Sequence, residues 1–244
     1  MRPVTEQVRI AMWSGPRTLS TATMRAWENR ADTVVVDEPL YACYLAAAGL
    51  DHPGRDDVLA SQSTDWRTVV AELTTGELPA GARISYQKHM THHLLPEVDL
   101  AAFAGLRHAF LLRDPRRLLA SYAKVRSRPT LADLGITAQL ELFRRFGGPV
   151  VDAGDLLRDP EGVLRALCAA LDVPFDPAML SWPAGRRSSD GVWAPHWYAA
   201  VEASTGFGPY REPTTELPDH LRELADQCRP AYDELAAGRL TGRS

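Results

Sequence analysis

The sequence predicts an α/β fold: a central, mostly parallel sheet of about five strands with helices on both faces, built as a single domain over residues 1–244. Three observations lead there. Short β-branched or apolar runs alternate with longer stretches of helical spacing, the order that gives parallel strands joined by crossover helices. Several of those runs end in polar pairs, Asp37-Glu38 and Arg113-Asp114 among them, where the strand ends of such a sheet face a ligand crevice. Hydrophobic residues make up 45% of the chain, enough for one core of this size.

The elements follow in order. Residues 8–12 start a strand that Trp13-Ser14-Gly15-Pro16-Arg17 breaks. A helix over 18–30 places Leu19, Ala22, Thr23, Ala26 and Trp27 on one face. Residues 33–36 form a second strand, expected beside the first and ending in Asp37-Glu38-Pro39. Helical segments and a polar loop fill the chain to Gly81, with helical spacing over 65–73. A third strand spans 83–87, closed by Lys88-His89, and a fourth spans 107–112. Asp114 then caps and Pro115 opens a helix carrying Leu118, Leu119, Tyr122 and Val125. Residues 149–152 are a fifth strand. Residues 155–171 are a helix with Leu156, Leu157, Val163, Leu164, Leu167 and Leu171 as its core. The stretch 182–213 is irregular and rich in Gly, Pro, Arg and Trp. An amphipathic helix over 217–235 follows. No internal repeat or low-complexity segment interrupts the pattern.

Charge narrows the function. The chain has 27 basic and 31 acidic side chains, a net charge of -4, without the basic surplus of a nucleic-acid binder. A small anion is still accommodated, because a few arginines in one cleft suffice. No apolar run is long enough to span a bilayer, and MRPVTEQVRI has no apolar secretory stretch. A cytoplasmic location with no membrane partner is therefore expected. Cys43, Cys168 and Cys228 are odd in number and widely spaced, and read as ordinary thiols rather than a disulfide set or a zinc site.

The first turn has the chemistry of an anion cradle. A helix start leaves backbone N–H groups free and carries the positive end of the helix dipole. Arg17, Thr18, Ser20 and Thr21 add donors there, while an ordinary loop with hydroxyl caps is the bland alternative. The ATP-binding pattern G-x-x-x-x-G-K-[ST] is absent, since Gly15 is followed by Pro16-Arg17-Thr18-Leu19. Asp37 and Glu38 nevertheless look like the acidic strand end that helps hold magnesium in NTPases. A magnesium-dependent kinase or NTPase is accordingly the alternative function. A second anchor follows strand four, where Arg113 ends the strand and Ser121 lies two turns into the next helix, a pair suited to a phosphate apart from the first.

Together these segments resemble the PAPS-dependent sulfotransferases (PAPS is 3'-phosphoadenosine-5'-phosphosulfate). The family's phosphosulfate loop, of the type Pro-Lys-Ser-Gly-Thr-Thr, is matched by Pro16-Arg17-Thr18-Leu19-Ser20-Thr21, with Arg17 where the family has lysine. The family's 3'-phosphate motif, an Arg with Ser-Tyr eight positions on, is matched by Arg113 and Ser121-Tyr122. The family's Lys-Thr-His-Leu-Pro stretch is similar to the run from Gln87 to Pro96, one residue shorter. Its late Arg-Lys-Gly loop and Gly-Asp-Trp are loosely matched by Arg186-Arg187 and by Asp190 to Trp193. The resemblance implies a three-layer α/β/α fold, PAPS as donor, 3',5'-ADP as product, no metal, and transfer to a hydroxyl or amine of a small-molecule acceptor. It also implies that Arg17, Thr18, Leu19, Ser20 and Thr21 hold the phosphosulfate and that Arg113, Ser121 and Arg186 or Arg187 hold the 3'-phosphate.

The remaining candidates concern the acceptor. A neutral imidazole can take a hydroxyl proton near neutral pH. His89, aligned with the family histidine and expected at the sheet mouth, is the first choice; His92 is the second, and His93 is read as structural. The spacing of the three histidines would also suit a metal on a helix, but no Cys lies nearby and no HExxH pattern is present. Lys88 either reaches the transferring group or is solvated. Asp37 and Glu38 either meet the acceptor, holding an amine or assisting as base, or are hydrogen-bonded loop carboxylates. Trp193, His196, Trp197 and Tyr198 line the acceptor pocket, stack on adenine, or form satellite core.

Overall fold

The computed structural model describes residues 7–50, 53–124, 126, 128–212 and 217–242. Residues 1–6, Val125 and Pro213, included in the sequence reading, lie outside them. Five parallel strands form one sheet in the order β2-β3-β1-β4-β5: β1 Val8–Ser14, β2 Thr33–Asp37, β3 Ile84–Met90, β4 Arg107–Leu112 and β5 Val150–Asp152. Alternation along the strands feeds two cores. On one face Ile10, Met12, Tyr86 and Leu111 pack against Met24 and Trp27 of the Ser20–Glu28 helix and Val163, Leu164 and Leu167 of the Pro160–Ala170 helix. On the other, Ala11, Trp13, Phe110 and Leu112 meet the helices Pro115–Tyr122, Ile136–Phe146 and Asp219–Ala236. The result is the expected three-layer α/β/α arrangement. Each large apolar side chain buried this way contributes about 1.5–3 kcal/mol.

Four expectations are corrected. β3 inserts between β1 and β2, so the first two strands are not neighbours. β3 also continues to Met90 with all seven residues buried, and Lys88 and His89 lie inside it rather than closing it. The first helix starts at Ser20, not residue 18, because Arg17 (φ 58°) and Leu19 (φ 70°) adopt left-handed backbone that a helix cannot contain. The helix expected over 155–171 is two, Ala153–Arg158 and Pro160–Ala170. Asp159 breaks it, with non-helical backbone (φ -144°, ψ 76°) and a side chain that accepts from Gly162 N–H, and Pro160 opens the second piece.

Two smaller expectations change as well: β1 runs on through Trp13 and Ser14 instead of breaking there, and the stretch expected to be irregular contains the short helices Ala194–Trp197 and Ala199–Glu202. Asp65 caps Trp66–Thr75. Asp114 accepts from the N–H groups of Arg116 and Arg117 ahead of Pro115. Among the described residues, no helix is long and apolar enough to cross a membrane.

Candidate active site

The carboxyl ends of β1, β3 and β4 open into a cavity of about 600 Å³. Residues 16–22 form one wall. Glu38, Tyr41, Lys88, Met90, His92 and His93 also line the cavity, as does Arg113. A second cleft, of about 590 Å³, meets the first at Arg113 and Leu157 and is lined by Arg116, Arg117, Arg158, Tyr210 and Arg211.

The loop after β1 is shaped for an anion. Two left-handed residues, Arg17 and Leu19, flank Thr18, whose hydroxyl donates to Gly15 O at 2.9 Å. Alternating backbone handedness of this kind turns successive N–H groups to one side. Leu19 precedes the helix and supplies no side-chain cap, so the first N–H groups remain available at the positive end of the dipole. The approach is tight: a Cβ on Gly15 would meet Leu134 O at 2.6 Å.

The two anion anchors, expected to be separate, are joined. Arg17 Nε donates to Ser121 Oγ at 3.1 Å, and Arg113 Nη1 donates to Arg17 O at 2.7 Å. Burial, with the nearby charges of Arg117 and Arg17, pulls the Arg113 pKa below the usual guanidinium value. A bound anion would relieve that crowding of cations.

Arg186 and Arg187 line neither cavity. Their loop folds back on the first helix: Arg187 N–H donates to Asp190 at 2.8 Å, and Asp190 accepts from Arg25 at 2.6 Å. In the second cleft, Arg117 and Arg158 stand 4.2 Å and 3.7 Å from the Tyr210 ring centroid, and Arg117 donates to Arg211 O. Arg117, with Arg116, reads from the sequence as a solvated helix face, whereas it lines this cleft.

Strand alternation decides the histidines. Lys88 and Met90 face the cavity, so His89, between them, points to the opposite side of the sheet. Its ring is 1% exposed and stacks on Trp13 at 4.4 Å. Gln87 spends its amide N–H on Leu73 O, so its carbonyl accepts from His89 Nε2 at 3.2 Å. Burial pulls the His89 pKa down to about 3. The structure thus places the first-choice base in the core. His92 and His93, on the 3-10 turn Thr91–His93, line the cavity instead. His93 stacks on Tyr41 at 4.3 Å and on Tyr44 at 5.0 Å.

Lys88 faces the cavity wall but is committed internally. Its ammonium donates to Asp37 Oδ1 (2.9 Å), Glu38 Oε1 (2.6 Å) and Tyr198 OH (2.6 Å), which uses all three N–H bonds. Tyr198 OH in turn donates to Asp37 Oδ2 at 2.7 Å and accepts from Trp193 Nε1 at 3.1 Å. Asp37 and Glu38 therefore hold a buried cation rather than standing open side by side. Trp193 is satellite core, packed edge-on to Tyr41 at 5.0 Å. His196 is exposed beside Gly54 and away from the cavity. Trp197 and Tyr198 do line it. Strand β3 carried the missed signal: extending it by three residues puts Lys88 and His89 on opposite faces. Among the described residues, no group of three His, Cys, Asp or Glu is placed to hold a metal ion.

A family model described as a sulfotransferase domain matches residues 8–238. Two Arabidopsis thaliana proteins called branched-chain-amino-acid aminotransferase-like protein 1 and 2 are 39% and 36% identical over 232 residues, 93% of this chain. The chain spans 41% of the length of each of these relatives. Among solved structures, the sulfotransferase domain from the curacin biosynthetic pathway superposes with a TM-score of 0.54 at 15% identity, covering 91% of this chain and 98% of that one. The sulfotransferase domain of the Synechococcus PCC 7002 olefin synthase gives 0.52 at 17% identity, over 93% and 97%. At these identities the likeness is one of fold.

Proposed function

The chain belongs to the sulfotransferase-domain family, and from that premise we propose that it moves a sulfuryl group from PAPS to a hydroxyl or amine of a small-molecule acceptor, releasing 3',5'-ADP. The observation that carries this reading is the uncapped helix start after β1, where Arg17, Arg113 and Ser121 converge. An acceptor oxygen or nitrogen attacks sulfur, and the bond between sulfur and the 5'-phosphate oxygen breaks. The electron pair stays on that oxygen and the acceptor's proton passes to a base. Loop N–H groups and Arg17 are set where the negative charge develops, which is where fixed donors accelerate the step. Arg17 serves as a permanent charge and a fork, not as a proton donor. Thr18, Ser20 and Thr21 hold the phosphosulfate beside the Leu19 backbone. Arg113 and Ser121 take the 3'-phosphate, and Arg117 and Arg211 of the second cleft replace Arg186 and Arg187 in support.

Calorimetry with 3',5'-ADP tests the donor site. Arg113→Ala weakens binding by about tenfold or more, the loss expected for a charge-assisted phosphate contact. It also reduces the preference over 5'-AMP, which lacks the 3'-phosphate. Equal affinity of wild type and variant for 3',5'-ADP refutes the assignment.

A further inference from the structure

Asp37, Glu38, Lys88 and Tyr198 form a buried ionic knot at the cavity wall, with two carboxylates against one ammonium. Asp37 is fully engaged: Oδ1 takes Lys88, and Oδ2 takes Tyr198 OH and Gly191 N–H at 3.2 Å. Glu38 is not. It gives Oε1 to Lys88 and turns Oε2 toward His93 Nδ1, 3.8 Å away, and both residues line the cavity. The knot therefore carries one negative charge beyond what Lys88 balances, on the side that faces His93.

We infer that His93 is the base which takes the acceptor's proton, with the Glu38 carboxylate, 3.8 Å from its Nδ1, as the positioning residue that sets its charge. This rests on the sulfuryl-transfer reading. Burial, with the neighbouring Asp37, pushes the Glu38 pKa up despite Lys88, so its charged form gains from a further cation on the side away from Lys88, which a protonated His93 supplies. When the acceptor attacks sulfur, its X–H electron pair stays on the acceptor atom and the proton goes to the imidazole. The imidazolium formed is stabilised by the Glu38 carboxylate. Other groups facing His93 include the rings of Tyr41, Tyr44 and His92, with Lys88 behind Glu38 and the Arg126–Asp133 ion pair beyond Tyr44. The stacked rings fix its orientation and screen it from bulk water.

The test uses the full chain with water as the only acceptor, so no natural acceptor need be known. Saturable binding of 3',5'-ADP is measured first; its absence from the wild type sinks the sulfotransferase reading itself. Histidine resonances are then followed against pH, with His93→Asn assigning the signal. Glu38→Gln lowers the His93 midpoint by about one pH unit. In parallel, release of 3',5'-ADP from PAPS is timed across the same pH range. The wild-type rate rises through the His93 midpoint, the inflection moves with Glu38→Gln, and His93→Asn slows release by about a hundredfold or more. Glu38→Asp keeps the charge but draws it back by one methylene. It shifts the midpoint by a smaller step and serves should the glutamine variant fail to fold. An unmoved midpoint, or full hydrolysis in His93→Asn with 3',5'-ADP binding intact, overturns the proposal.

Discussion

Lys88 shows how far a single side chain can depart from its local appearance. Next to a histidine at a strand end it reads as a group for the reacting centre, yet its three N–H bonds are spent on Asp37, Glu38 and Tyr198. Both carboxylate neighbours hold the Lys88 pKa well above the usual ammonium value, outweighing its burial. Lys88→Met removes the only cation in the knot and leaves two carboxylates buried. Breaking a buried ion pair from one side typically costs about 3–5 kcal/mol, so the denaturation midpoint falls sharply. A variant that keeps wild-type stability but loses transfer would instead place Lys88 on the substrate. Arg17 and Arg113 were legible in the sequence because each sits in a short motif whose spacing is local. Glu38, His93 and Tyr198 were not legible as partners, since 161 residues separate Tyr198 from Asp37 and only the fold joins them.

Among the elements, β3 decides the site. Its alternation sends Tyr86, Lys88 and Met90 to one side, and Gln87 and His89 to the other, where His89 meets Trp13 and Phe103. The neighbouring His108 lies in the same core, accepting from Trp13 Nε1 at 3.0 Å and donating to Phe103 O at 3.1 Å, and burial lowers its pKa too. Both rings are neutral in the folded chain and take up protons when it unfolds. The unfolded state therefore binds more protons between the ordinary imidazole value of 6.5 and the folded His89 value of about 3. Stability is full above that window and falls with pH inside it, by about 1.4 kcal/mol per pH unit for His89, with His108 acting in the same direction. His89→Phe takes one ring out of the balance, and urea titrations from pH 7 to pH 4 then show a shallower acid loss; an unchanged slope would contradict the burial. The helices that begin after Asp65 and Asp114 were legible, whereas Leu131–Leu134 was not, although Thr130 caps it. The Ile136–Phe146 helix was not, because its N-cap is Gly135 (φ 66°), which also ends the Leu131–Leu134 turn and offers no side-chain signal.

For the whole molecule, the alternation of strands and helices was enough to give a layered parallel sheet, but not the order of its strands. Parallel strands are joined by crossovers whose lengths leave the insertion of β3 undetermined, and the expected β1–β2 neighbourhood rested on sequence proximity alone. That insertion also bears on the magnesium-dependent alternative. It brings Lys88 to Asp37 and Glu38, the two carboxylates on which a kinase or NTPase reading depended. Turnover of PAPS is accordingly expected to survive thorough chelation, with ATP a poor substitute; strict dependence on added magnesium would restore the kinase reading. The sheet order has a further consequence for how the chain assembles. β1 and β2 precede the other strands of the sheet in the chain but have no edge in common, so neither can pair until β3, some fifty residues later, arrives between them. Tyr198 and Gly191 come later still, and until they dock, Asp37 lacks two of its donors. Loop closure over such separations is slow relative to local structure. The anion loop draws on Arg113 and Ser121 as well as on β1 and its own helix, so it is complete once β4 and the next helix are in place, whereas the wall bearing Glu38 waits for Gly191 and Tyr198, late in the chain.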